Sequence, residues 1–190
     1  GVQQGADAIA LAHAVRCRSL ADVEALLDAW PPTGPRVSQV VDSRGLNLAF
    51  WAAARRGGGA AGREVCRLLV ERHGVHPAYI DPASRTPLFY AVGEGDACTA
   101  AYLLEAKCSP DHRDAEGRTA LFLAARLGDP ACARCLLDAG AQVDCEDAEG
   151  CTALREAAAS GSVGVAALLL SRGARPSPVD GAGGGCLDVA

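Results

Sequence analysis

Asp81-Pro82-Ala83-Ser84-Arg85-Thr86-Pro87-Leu88-Phe89-Tyr90-Ala91 is followed one period later by Asp114-Ala115-Glu116-Gly117-Arg118-Thr119-Ala120-Leu121-Phe122-Leu123-Ala124. A third copy opens at Asp147 and carries Gly150-Cys151-Thr152-Ala153-Leu154, then Ala157. Thr86, Thr119 and Thr152 stand 33 residues apart. A fixed period of this length marks an array of supersecondary units, and it has to be settled before any single segment is read.

Within each period the apolar residues fall at helical spacing: Leu88, Ala91 and Val92 in one unit, Leu121, Ala124 and Ala125 in the next. Gly95 ends the first helix, and Asp96 is placed to cap the second by accepting backbone N–H groups. Gly128-Asp129 and Gly161-Ser162 repeat the pair. The second helix carries a leucine pair: Leu103-Leu104, Leu136-Leu137 or Leu169-Leu170. Gly140-Ala141 and Gly173-Ala174 close two of the units, with glycine suited to the left-handed position after a helix end. Asp-x-x-Gly-x-Thr then predicts a tight turn in which Asp binds its own backbone. Each unit reads helix, loop, helix, turn. One unit cannot bury its apolar face alone, but stacked neighbours can.

Thr-Pro-Leu with alanine at the sixth position, recurring every 33 residues together with the glycine, leucine-pair and Gly-Ala marks, resembles the ankyrin repeat. The resemblance implies an all-α solenoid. Counting by the threonine slot predicts units 9–46, 47–85, 86–118, 119–151 and 152–184. Gly185, Leu187 and Ala190 open a sixth, which reads as a piece of a longer chain. The outer units are less regular. Gly1 to Ala8 reads as a lead-in to a first helix at Ile9–Val15. Ser19 is the expected cap of the second helix, and Leu26-Leu27 is its leucine pair. Trp30-Pro31-Pro32-Thr33-Gly34-Pro35 reads as a lengthened loop, since proline cannot continue a helix. In the second unit Asn47 replaces threonine, and Gly57 to Gly62 reads as an inter-helix insertion. Val65, Leu68 and Leu69 follow on the second helix, which His73-Gly74 ends.

Composition narrows the function. Over 190 residues, 49% are apolar and 22% charged, which suits a folded chain. The net charge of −5 lacks the basic footprint of a nucleic-acid binder. There is no signal-peptide pattern, and no apolar run reaches the ~18 residues that a membrane span requires. Nine cysteines show no repeated framework. Cys132 and Cys135 have CxxC spacing but sit within one helix, without a second pair. Cys145 and Cys151 flank one turn. Free thiols in a reducing, intracellular and cytoplasmic setting are the expectation. Gly57 to Glu64 has the spacing of a phosphate loop, but Arg63 and Glu64 stand where Lys and Ser/Thr are needed, and no strand precedes it. His13, His73, His76 and His112 form no pattern with a nucleophile. The expectation is no catalytic, metal or cofactor site.

What remains is a surface. The resemblance implies that first helices and hairpin tips form a concave groove that grips another protein. The groove slot before the motif alanine holds His13, Trp51, Tyr90, Leu123 and Glu156. Trp and Tyr are favoured interface anchors. Arg44, Arg85, Arg118, Glu116 and Glu149 add charge at the tips, where they tune specificity and on-rate. The competing reading is that these side chains pack within their own array. The family often has histidine three residues after the threonine; here the slot holds Ala12, Phe50, Phe89, Phe122 and Arg155, which predicts apolar packing in place of a polar network. The expected function is a scaffold, adaptor or subunit of a larger assembly. The alternatives are a regulatory or targeting domain of a larger enzyme or channel, and a small-molecule or metal-binding module.

Overall fold

In the computed structural model, residues 2–31, 36–55, 57 and 59–176 are described. All regular structure among them is helical. The chain parts into two compact units between Cys108 and Ser109. The first holds α1 (Val2–Cys17), α2 (Leu20–Asp28), α3 (Leu48–Ala53), α4 (Gly59–Arg67), α5 (Pro87–Gly93) and α6 (Ala97–Glu105). The second holds α7 (Ala120–Leu127), α8 (Pro130–Asp138), α9 (Ala153–Ala159) and α10 (Val163–Ser171). The helix, loop, helix, hairpin order expected from the 33-residue period is present throughout. The sixth-unit opening at Gly185–Ala190 and the loop at 32–35 lie outside the described residues.

The caps follow the reading of the loops. Ser19 accepts from the Asp22 N–H at 3.2 Å, and Asp96 from the Thr99 N–H at 3.0 Å. Asp129 accepts from the Ala131 and Cys132 N–H groups at 2.9 and 3.1 Å. Each satisfies donors that the first helical turn leaves open. Ser162 makes no such bond; its hydroxyl meets Ser160 Oγ at 3.0 Å.

Two expectations are corrected. The stretch read as a lead-in is helical from Val2, so α1 starts a full turn and more before Ile9. Periodicity could not show this, because Gln3, Gln4 and Gly5 carry no apolar stripe. The glycine insertion is shorter than expected: α4 starts at Gly59 and takes in Gly62. The reason is a close approach. A Cβ on Gly62 would lie 2.6 Å from Thr99 Oγ1 and 2.7 Å from Asp96 Oδ2, so only glycine lets α4 lie against the start of α6. Beyond α4 the chain widens into a π-helical turn, Leu68–Arg72, that ends at His73 and Gly74. The leucine pair of this unit sits on that turn rather than on the α-helix.

The core of the first unit is a row of small and branched side chains: Leu11, Val15, Val23, Leu48, Ala52, Val65 and Leu69, closed by Tyr102. Buried Arg55, just past α3, donates from Nη1 to Val15 O at 2.7 Å and from Nη2 to Arg18 O. It thereby supplies donors to the open carbonyl end of α1.

Candidate functional site

The surface is built on hairpins that all close the same way. Asp42 Oδ1 accepts from the N–H groups of Arg44 and Leu46 at 2.8 and 2.9 Å. Asp81 does the same with Ala83 and Arg85, Asp114 with Glu116 and Arg118, and Asp147 with Glu149 and Cys151, at 2.8 or 2.9 Å. One carboxylate oxygen thus replaces two solvent bonds and fixes where the next first helix starts.

On the first unit this machinery sets two of the expected anchors side by side. Trp51 on α3 and Tyr90 on α5 line one cleft of about 170 Å³, together with Arg16, Arg44, Leu46, Phe50, Ala54 and Glu94. The Phe50 and Tyr90 rings meet edge to face, with centroids 5.1 Å apart and planes at 82°. Phe50, Phe89 and Phe122 are all buried, as expected from their place in the histidine slot. Tyr90 is tied down from its far end: its hydroxyl donates to Asp81 Oδ2 at 2.9 Å, and the Arg85 guanidinium lies 5.4 Å from its ring centroid. Burial pushes the Asp81 carboxyl up. The Arg85 and Ala83 N–H groups, the Tyr90 hydroxyl and the Arg85 charge outweigh that push and hold it below its ordinary 3.8. Burial and the same carboxylate raise the Tyr90 phenol above 10.

Trp51 is held differently. The guanidinium groups of Arg16 and Arg44 lie 5.8 and 5.2 Å from its ring centroid. Its indole Nε1–H is buried and has no hydrogen-bond partner. Sequence reasoning did not find Arg16, because it closes α1 and reaches Trp51 only through the packing of α1 against α3. His13, in the equivalent slot of α1, is exposed.

The charged tips are engaged with their own hairpins. Arg44 pairs with Asp42 at 3.3 Å, and Arg85 with Asp81 at 3.1 Å. In the second unit Arg118 pairs with Glu116 and lies 3.7 Å from Asp147. Glu116 and Glu149 are exposed. Leu123 on α7 and Glu156 on α9 are each half-buried, on helices that pack against one another. Successive hairpins of this unit are cross-bonded: the Ala148 N–H donates to Glu116 O at 3.1 Å, and Arg113 donates to Gly117 O and Glu146 O.

The eight described cysteines are free thiols, Cys145 and Cys151 among them. Burial raises the thiol pKa of Cys66 and, up to about 12, that of Cys108, which makes them poor nucleophiles. Among the described residues no group of three or more His, Cys, Asp or Glu side chains is placed to hold a metal. No helix among them is long and apolar enough to cross a membrane.

Comparison with known families matches residues 88–180 to the model for ankyrin repeats, in three copies. No curated protein matches the chain.

Proposed function

We propose that this chain, an ankyrin-repeat protein, is a scaffold, adaptor or assembly subunit that grips a partner protein through its first helices and hairpin tips. Ankyrin repeats are in general protein–protein interaction modules and typically carry no catalysis, so the family sets the class of function. What supports this particular surface is one observation. Trp51 and Tyr90, two large aromatics on neighbouring first helices, are each only half-buried and line one open cleft beside the tips, Trp51 with its other side packed against the core of the first unit. Such residues bury much area with few rotors to freeze. Leu123 and Glu156 hold the same register positions in the second unit. There Arg118, Glu116 and Glu149 would contribute orientation and encounter rate more than affinity.

The test is capture from extract of the source organism, run with the whole chain and with a Trp51→Ala/Tyr90→Ala variant whose helicity is confirmed by circular dichroism. Buried aromatic anchors cost about 2 kcal/mol or more each when truncated. A protein held in stoichiometric amount by the first bait and lost from the folded variant supports the reading. Equal capture by both removes the cleft from the contact surface.

A further inference from the structure

We propose that the Trp51–Tyr90 cleft receives a side-chain carboxylate, a glutamate or aspartate in an acidic peptide segment of the partner protein. This rests on the interaction reading above and specifies its chemistry.

The inventory of hydrogen-bonding groups in the cleft carries the inference. The Trp51 indole is a donor only, and its N–H is buried without an acceptor. An orphaned buried N–H is costly, and a group of this kind calls for an explanation. Beside it stand two guanidinium groups, which are also donors only. Arg16 spends Nε on Ala54 O at 3.3 Å, and Arg44 spends Nε on Asp42 Oδ2 at 3.3 Å. Neither terminal fork has a partner among the described residues.

The acceptors of the two hairpin aspartates nearby are already used. Asp42 Oδ1 holds two backbone N–H groups and Oδ2 holds Arg44. Asp81 Oδ1 likewise holds two, while Oδ2 takes both Arg85 Nε and the Tyr90 hydroxyl. Of the residues lining the cleft, Glu94 is the one acid, against two arginines. The cleft therefore offers donors in excess, with the exposed Glu94 as its one acidic acceptor. Its complement is an anionic acceptor with two oxygens, which matches the planar guanidinium fork.

The walls choose among anions. Leu46, Phe50 and Ala54 make the floor apolar, which suits the methylene stem of an acidic side chain. A doubly charged phosphate would double the attraction of the two arginines as well as the repulsion of Glu94, so it is the apolar lining and not the charge that favours a carboxylate on a methylene stem. The Arg44 side chain is 61% exposed and free to swing from the ring to an incoming carboxylate.

The experiment selects randomised twelve-residue peptides against the whole chain, then remakes a selected peptide with each acid changed to its amide. Affinities are measured by titration calorimetry against the parent chain, Trp51→Phe, which keeps the ring and removes the N–H, and Arg44→Gln, an exposed change that leaves the fold intact. We expect one required Glu or Asp. Its amide form should bind at least tenfold more weakly, as should Arg44→Gln. Trp51→Phe should add no further loss once the acid is gone. Binding that ignores both the acid and Arg44, or that strengthens when phosphoserine replaces the acid, overturns the carboxylate assignment. If Trp51→Ala/Tyr90→Ala still abolishes that binding, the groove survives and only its chemistry is wrong. If the double variant also binds normally, both readings fall.

Discussion

Lys107, the only lysine in the chain, sits in the slot that glycine fills in the later units. Its φ is 72°, against 89° at Gly140 and 87° at Gly173, and a side chain in this left-handed region costs about 1 kcal/mol or more. Lys107 is exposed and makes no ion pair among the described residues, so the strain has no compensation there. Lys107→Gly should raise stability by about 1 kcal/mol in urea denaturation; an unchanged or lower midpoint would show that the lysine makes a contact worth more than its backbone strain. Thr86 is the opposite case, with a good backbone and a wasted side chain. Its Oγ1 is buried without a partner: unlike Thr152, whose hydroxyl accepts from the Arg155 N–H, it makes no cap bond. Replacing the hydroxyl by a methyl removes a desolvated polar group at nearly constant shape. Thr86→Val should therefore hold or raise the thermal midpoint, and a fall equivalent to more than about 1 kcal/mol would reveal a hydroxyl partner.

The contact of α4 with α6 turns on Gly62. In an exposed helix Gly→Ala gains about 1 kcal/mol of backbone entropy. Here the new methyl would be driven into Thr99 Oγ1 and Asp96 Oδ2, which are themselves bonded at 2.6 Å as part of the α6 cap. Overpacking costs about 1–3 kcal/mol, and disturbing a cap costs about 1 more, so the penalty exceeds the gain. Gly62→Ala should lower the denaturation midpoint by about 2 kcal/mol net, whereas a stabilised variant would mean that the two helices separate freely. This element also marks how far the residues could be read in advance. The period set by Thr86, Thr119 and Thr152 placed helices, caps and hairpins, because each mark has a local cause in a turn, a cap or a stripe. Gly62 looked like part of a flexible insertion because its reason to be glycine lies across space, in Asp96 and Thr99. The site divides the same way. Trp51 and Tyr90 were legible as slot positions, but Arg16 over Trp51 was not, since no local pattern tells the last turn of α1 what α3 will bring against it.

Over the whole molecule these local environments meet in the response to acid. His73 closes the π-helical turn with Nε2 buried and unpartnered. Burial, helped by the Arg72 charge and opposed by Asp28, lowers its pKa from 6.5. The unfolded chain therefore takes up a proton before the folded one, so stability falls as pH drops through 6.5 and levels off once the folded imidazole is also charged. Asp81 acts lower down. Its folded pKa is below 3.8, so its contribution is complete above the unfolded value and is lost as pH falls from there through the folded one. Both groups push the same way, so as far as these two are concerned the array holds best above about pH 6.5. Unfolding midpoints measured from pH 7.5 to pH 2.5 should decline in two windows, one below about 6.5 and one below about 3.8. His73→Gln should flatten the upper window alone and Asp81→Asn the lower alone. A single smooth decline unaffected by either change would assign acid sensitivity to the general build-up of positive charge. The lower window also reaches the cleft, because Asp81 anchors the Tyr90 hydroxyl; protonating it should loosen the ring and lower partner affinity before the chain unfolds, a loss that Asp81→Asn should reproduce at neutral pH.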